Sequence, residues 1–228
     1  MKNFTKLLAS VSLVLMFAIS SYAQVTITPY IGALHSNTKI QTDLIQPSGI
    51  SSAVLGLHAD YSLDKNLSVR SGIKKTRRGF EVGVTTGIDL LGINVPVGVK
   101  AATEIDYIEV PLMLMYKINA GSKIRPYVGL GSGLSYATKA NLRTKATAIL
   151  DFTLGNTEIQ LDSPNYNRTL TMGYALAGVE IPYGRHGHWI VEVEHSRSFT
   201  DFVSEDFLVD AGGRHSGIGI NVGYGIRF

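Results

Sequence analysis

The sequence predicts an all-β protein, an eight-stranded antiparallel up-and-down transmembrane β-barrel. Eight segments alternate apolar and polar residues, their connections alternate between short and long, and aromatic residues recur near the short connections. Successive side chains of a strand point to opposite faces, so a strand between lipid and a polar barrel interior needs one apolar face. The last segment has such a face, made of Ile218, Ile220, Val222, Tyr224, Ile226 and Phe228. Its other face holds Gly217, Gly219, Asn221, Gly223, Gly225 and Arg227.

Residues 1–23 have the pattern of a cleaved secretory signal peptide. Lys2 and Lys6 precede an apolar stretch from residue 7 to 19, which is too short to span a membrane comfortably. Small residues at Ser21 and Ala23 form a cleavage site. We therefore expect residues 24–228 to be the mature barrel domain, exported to the bacterial outer membrane. The alternative is an uncleaved N-terminal anchor helix.

Composition narrows the classes of protein further. The chain has no cysteine, which excludes disulfides and thiolate metal sites. Loss of the two signal-peptide lysines lowers the formal net charge from +3 to +1, so the sequence gives no reason to expect nucleic-acid binding. No later segment offers 18 uninterrupted apolar residues, which excludes a helical membrane protein. The remaining alternative fold is a secreted or periplasmic β-sandwich.

The pattern places strands in eight segments. They cover approximately residues 25–36, 51–62, 67–81, 105–118, 124–137, 169–182, 188–202 and 214–228. Short turns occupy 63–66, 119–123 and 183–187, whereas 37–50, 82–104, 138–168 and 203–213 are longer connections. This alternation gathers the long connections at one rim, as in outer-membrane barrels with short periplasmic turns and long extracellular loops.

The first strand has the least regular pattern, because Val25, Ile27 and Ile31 share one phase while Tyr30 and Leu34 share the other. The second, fourth, sixth and seventh strands have clear apolar phases. The third begins cleanly and then reaches a basic run, which we expect at the loop rim: Lys74, Lys75, Arg77 and Arg78.

Pro111 conflicts with the middle of the fourth strand. Proline cannot donate a hydrogen bond to a neighbouring strand, and a closed barrel has no free edge to accommodate it. We expect a bulge or a local break there.

Aromatic residues fall on the apolar phase close to the short turns. Five of them should form a girdle at one height around the barrel: Tyr61, Tyr116, Tyr183, Trp189 and Phe228. Amphipathic rings at this position mark the boundary between lipid and water. The alternative is a chance occurrence, since aromatic residues favour strands in any case.

Two further segments resemble a known family. Residues 107–117, YIEVPLMLMYK, and residues 125–133, RPYVGLGSG, are similar to consecutive strands of the PorT-like outer membrane protein β-barrel family of Bacteroidetes-type bacteria, with OmpA-like eight-stranded barrels. The short turns and the terminal Phe228 also match. The resemblance implies that the barrel-assembly machinery reads the aromatic C-terminus. It supplies no catalytic residue, and one member of the family works in a secretion system.

The inward phase carries charged residues of both signs. They are His58, Asp60, Arg70, Lys74, Glu109, Lys117, Glu180, Glu192, Glu194 and Arg227. The interior of an eight-stranded barrel is about wide enough for side chains alone, and buried charges need partners. We therefore predict a network of salt bridges that fills the barrel. A narrow ion pathway, or a catalytic acid pair of Glu192 and Glu194, is the alternative.

A lipid hydrolase is the third functional hypothesis, after the non-enzymatic barrel and the narrow pore. Adjacent strand residues point to opposite faces, so neither His195–Ser196 nor His215–Ser216 can form a nucleophile–base pair alone. His195 could instead meet Ser216 of the neighbouring strand, with Glu205 or Asp206 nearby.

No cluster has metal-ligand spacing, and the strand glycines lack the arrangement of a phosphate-binding loop. We therefore expect no metal, no cofactor and no catalytic residue. The glycines should leave room for long side chains opposite.

The long connections are the expected functional region, because binding residues favour loops on a rigid scaffold. Segment 82–104 is apolar enough to extend the barrel as a hairpin or to contact a partner, and residues 148–154 resemble another short strand. We expect a non-enzymatic barrel that contacts outer-membrane lipid and either binds an envelope protein or supports the envelope. A narrow pore, a lipid hydrolase and a subunit of a secretion machine are the alternatives.

Overall fold

A computed structural model of the chain describes residues 25–40, 47–90, 93–118, 124–147, 151–159, 161, 166–184, 187–202 and 213–228. The predicted signal peptide lies outside the described residues. The described part contains nine strands. They are β1 Val25–Ile40, β2 Ser48–Ser62, β3 Leu67–Leu90, β4 Ile93–Lys117, β5 Arg125–Thr147, β6 Asp151–Ile159, β7 Thr169–Tyr183, β8 Gly187–Ser198 and β9 Gly213–Arg227.

Eight of these strands form a closed antiparallel barrel. The order around the ring is β4–β3–β2–β1–β9–β8–β7–β5, and β5 pairs again with β4. The first and last strands complete the ring, with pairs from Thr26–Arg227 to Ile40–Gly213. The one remaining strand, β6, does not belong to the ring. It pairs with the C-terminal part of β5, from Ala140 to Thr147. The predicted fold class is therefore confirmed.

The two longest segments predicted as loops are largely strand. Within 82–104, β3 and β4 continue pairing to Leu90–Ile93, which makes this segment a hairpin. Within 138–168, β5 extends to Thr147 and pairs with β6. Antiparallel pairing satisfies backbone hydrogen-bonding groups that a loop would leave to water. The short strand expected near 148–154 is β6, which begins at Asp151; residues 148–150 lie outside the described part.

The proline in the fourth strand causes a local break and no change of register. The β3–β4 ladder skips from Ser71–Leu112 to Lys74–Glu109, while Pro111 still pairs with Gly133 on the β5 side. The Ser71 hydroxyl donates a hydrogen bond to the Pro111 carbonyl at 3.0 Å. The predicted break is confirmed, and the lost ladder contacts are confined to one neighbouring strand.

The outer wall carries a continuous apolar band. Many large apolar side chains point outward and are exposed, among them Ile31, Leu55, Ile73, Leu112, Leu130, Val193 and Ile220. A water-facing wall does not carry an apolar surface of this extent. At the long-loop end polar residues enter the band: His195, His35 and Ser51 lie in one row with Ile218 across β8, β9, β1 and β2.

The predicted girdle residues all lie on the outward phase near the short-turn end. Tyr116, Tyr183, Trp189 and Phe228 are exposed, and Tyr61 is half-buried. Trp189 makes an edge-to-face contact with Tyr224 of β9, at 5.1 Å between ring centroids. Their placement follows directly from the two-residue period of the strands.

Replacing Leu112 by Arg places a charge at the centre of the apolar band. We expect the folded barrel in lipid vesicles to lose about 2 to 4 kcal/mol of unfolding free energy, the usual range for Arg at the bilayer midplane. Leu142→Arg is the matched control: Leu142 is also an exposed leucine, but it pairs with β6 beyond the ring. Urea unfolding measures both variants, and an equal loss for the two would contradict the lipid-facing assignment of Leu112.

Candidate functional site: the barrel interior and the long-loop end

The basic and acidic residues of the interior come mainly from opposite walls. Strands β3 and β8 are four positions apart in a ring of eight, so they face each other across the lumen. Inward positions of β3 carry Arg70, Lys74 and Arg78, and those of β8 carry Glu192 and Glu194. Long side chains of opposite sign therefore meet in the centre.

One cluster is centred on Arg70. Its guanidinium donates hydrogen bonds to both carboxylate oxygens of Asp60, at 2.7 and 3.0 Å, and to Glu192 on the opposite wall. The Tyr127 hydroxyl donates to the same Glu192 oxygen at 2.6 Å. His58 lies 3.7 Å from Asp60. Each described charge of this cluster thus has a partner of opposite sign.

A second cluster surrounds Glu109, which is fully buried. Its carboxylate accepts hydrogen bonds from Arg78 at 2.8 Å, Thr76 at 2.7 Å and Tyr174 at 2.9 Å. The Lys74 ammonium lies 3.3 Å from Glu109 and 2.5 Å from Glu194 across the lumen. Lys74 also lies over the Tyr174 ring, at 4.4 Å from the centroid.

A smaller group lies at the short-turn end. The Lys117 ammonium is 2.6 Å from Glu180, and the His188 ring is 3.9 Å from the same carboxylate. Arg227 is half-buried on the inward phase of β9 at the same end. The structure thus brings nine of the ten predicted interior residues, all except Arg227, into two adjoining clusters and this third group.

The structure corrects the predicted location of Arg78. The sequence suggested the loop rim, but its side chain is fully buried and donates hydrogen bonds to Glu109 and to Ser196 on β8. Arg78 lies on the inward phase of β3, four residues after Lys74, and this position could have indicated that its side chain is buried. With Arg78 included, five carboxylates face five bases: Asp60, Glu109, Glu180, Glu192 and Glu194 against Arg70, Lys74, Arg78, Lys117 and Arg227.

Sequence reasoning also missed the inward aromatic residues. Tyr127 and Tyr174 belong to an apolar cluster on β4, β5 and β7, and their hydroxyls donate to the carboxylates described above. Small residues make room for them, since a side chain at Gly178 would collide with the Tyr127 ring. Tyr127 lies on the inward phase of β5 and Tyr174 on that of β7, so the alternation of the sequence could have placed both inside the barrel.

A buried histidine closes the long-loop end of the interior. Nδ1 of His215 lies 2.9 Å from the Thr38 hydroxyl, and Nε2 lies 3.2 Å from the Tyr107 hydroxyl. The Phe202 ring stacks on the imidazole, with 4.6 Å between the centroids. Every heteroatom of this imidazole therefore has a partner inside the barrel.

The residues of the hydrolase hypothesis lie on the outer wall. His195 is opposite Ile218 and Ser216 is opposite Arg197, so the two are diagonal neighbours. Within the described part of the chain no hydrogen bond joins them. Glu205 and Asp206 lie outside the described residues. No nucleophile–base contact is present between the described members.

The described residues contain neither a metal-binding cluster nor a membrane-spanning helix. They contain no group of three or more His, Asp or Glu side chains arranged to hold a metal ion. Among them there is also no helix with the length and hydrophobicity to span a bilayer.

Replacing Glu109 by Gln tests the interior network. The change leaves Arg78 and Lys74 buried without their shared counter-charge, and we expect a loss of about 3 to 5 kcal/mol of unfolding free energy. Glu158→Gln is the control: Glu158 forms an exposed ion pair with Lys139, and its loss should cost less than about 1 kcal/mol. Urea unfolding in vesicles measures both. Equal stability of the Glu109→Gln barrel and the wild type would show that the network is not essential.

Several solved structures have a fold similar to that of this chain. Among solved structures, the outer membrane protein OprG from Pseudomonas aeruginosa matches with a TM-score of 0.51 and 14% identity, over 90% of this chain and 95% of that one. Neisserial surface protein A matches with a TM-score of 0.47 and 13% identity, over 89% and 97%. Ail of Yersinia pestis, in complex with the heparin analogue sucrose octasulfate, matches with a TM-score of 0.42 and 16% identity, over 90% and 99%.

No match was found among functionally curated proteins. The family model for the outer membrane protein beta-barrel domain matches residues 9–228. With the closed eight-stranded ring, this match shows that the chain belongs to the outer membrane protein β-barrel domain family of the bacterial outer membrane.

Proposed function

We propose that this protein is a non-enzymatic outer-membrane barrel whose extended strands bind an envelope partner, or support the envelope, at the extracellular side. The observation that carries the proposal is the length of three strands. β3, β4 and β5 contain 24, 25 and 23 residues, whereas the other barrel strands contain 12 to 16. About ten additional residues correspond to roughly 30 Å of strand.

The extended strands and β6 form a four-stranded sheet that continues beyond the ring. Pairing between β3 and β4 reaches Leu90–Ile93, and β5 pairs with β4 on one side and with β6 on the other. Rigid extended strands hold a surface in a fixed position, which favours recognition because little conformational entropy is lost on binding. The side chains of β6 from Leu154 to Glu158 are exposed.

The filled interior supports this proposal over the narrow pore. Paired side chains from opposite walls occupy the lumen, and His215 and Phe202 lie at its long-loop end. Stepwise conductance of the purified wild-type barrel in planar bilayers would favour the pore instead. Lipid cleavage that disappears in Ser216→Ala would likewise favour the hydrolase. A role in a secretion machine is one form that the partner-binding function could take.

Shortening the β3–β4 hairpin tests the proposal. Deleting residues 83–100 and joining Val82 to Ala101 through an Asn-Gly turn preserves the register, because these two residues are paired. We expect the variant to fold and insert, since the whole ring remains. Crosslinking in intact outer membranes, followed by purification of the tagged barrel and mass spectrometry, should recover a stoichiometric partner with the wild type and lose it with the variant.

An Asn-Gly turn in place of Asp64–Lys65 is the matched control, because it introduces the same turn at the opposite rim. Envelope support is measured as the survival in detergent of the bacteria that carry the wild type or each variant. Recovery of the wild-type barrel alone, with unchanged detergent survival of the shortened variant, would overturn the proposed function.

A further inference from the structure

The barrel wall has a cleft between β2 and β3 at the long-loop edge of the apolar band. The β2–β3 ladder has no pairs between Gly49–Phe80 and Leu55–Lys75, and its register shifts across this gap. The Ser52 hydroxyl donates to the Arg77 carbonyl at 2.7 Å, which replaces one of the lost ladder contacts. The two strands therefore separate locally.

The resulting cleft has a volume of about 620 Å³. This volume is within the range of small-molecule sites. On the outer wall it is lined by Ser51, Ala53, Leu55, Lys75 and Arg77. Leu55 is 63% exposed and belongs to the apolar band, whereas Ser51 and Lys75 lie at the edge of that band. The cleft thus has an apolar side toward the lipid and a polar side away from it.

Among the described residues, the cleft is lined by three carboxylates and three bases, and one of these bases, Lys75, forms no ion pair. The three carboxylates are each bound to a base: Asp106 to Arg77 at 2.7 Å, Glu104 to Arg77 and Arg143 at 3.0 and 3.2 Å, and Glu81 to Lys100 at 3.2 Å. The ammonium of Lys75 is exposed and has no hydrogen bond or ion pair with any described residue. An exposed ammonium is a suitable contact for an anion from outside the protein.

We propose that this cleft binds the phosphate-bearing headgroup of an outer-leaflet lipid, with Lys75 as the principal cation. The position of the cleft indicates a lipid, because lipid headgroups lie at the edge of an apolar band and acyl chains lie against it. Leu55 and Ala53 contact the first part of an acyl chain, and Lys75 and Ser51 contact the phosphate and its sugar. The cleft adjoins the base of the extended sheet through Glu81, Glu104 and Arg143, but lipid binding there does not depend on the proposed partner.

Native mass spectrometry of the full barrel in a neutral detergent tests the site. The probes are a phosphorylated glucosamine-based lipid A, its dephosphorylated form, and soluble glucosamine phosphate. We expect the phosphorylated lipid to bind the wild type, and to bind Lys75→Gln about tenfold more weakly, as expected for one charge-assisted contact. Lys75→Arg should retain binding.

Lys139→Gln is the matched control, because Lys139 is also exposed beyond the apolar band but does not line the cleft. It should bind like the wild type, and heat-dependent gel mobility confirms that each variant is folded. Equal binding of the dephosphorylated lipid, or unchanged affinity of Lys75→Gln, would overturn the proposal. Equal binding of soluble glucosamine phosphate would overturn the assignment to a lipid.

Discussion

The rest of the structure depends on the ion pairs that cross the lumen from β3 to β8. Closing eight strands leaves an interior about wide enough for side chains and without room for bulk water. Arg70 and Lys74 each bind carboxylates on a near wall and on the opposite wall. These contacts compensate the buried charges and tie distant parts of the ring together. Removing one partner is costly because the other charge remains buried.

The interior is chemically divided between its walls. Apolar residues line β4, β5 and β7, including Met113, Met115 and Met172, while cations line β3 and carboxylates line β8. Tyr127 and Tyr174 join the two regions, because their rings pack in the apolar cluster and their hydroxyls bind Glu192 and Glu109. A barrel filled in this way is a rigid support, and its surfaces in contact with lipid and with the exterior are available for function.

Two of the register shifts in the ladders lie where the proposed functions are placed. The register between β4 and β5 shifts next to Asp106, where the pair begins to leave the ring, and the Thr138 hydroxyl donates to the Asp106 carbonyl there at 3.1 Å. The register between β2 and β3 shifts at the cleft. Bulges and shifts of this kind bend a strand and redirect its side chains. The first of these two shifts accompanies the extended sheet, and the second opens the proposed lipid site.

The sequence by itself determined the eight strands of the ring, the closed antiparallel barrel and the alternation of faces along most strands, because the two-residue period is a local property of the chain. It therefore indicated the outward aromatic residues and most of the inward charges. Only the tertiary structure decided which charges meet, since Arg70 and Glu192 are 122 residues apart and become neighbours through ring closure. It also decided that Arg78 is buried and that 82–104 is paired strand, because both depend on how far neighbouring strands continue side by side.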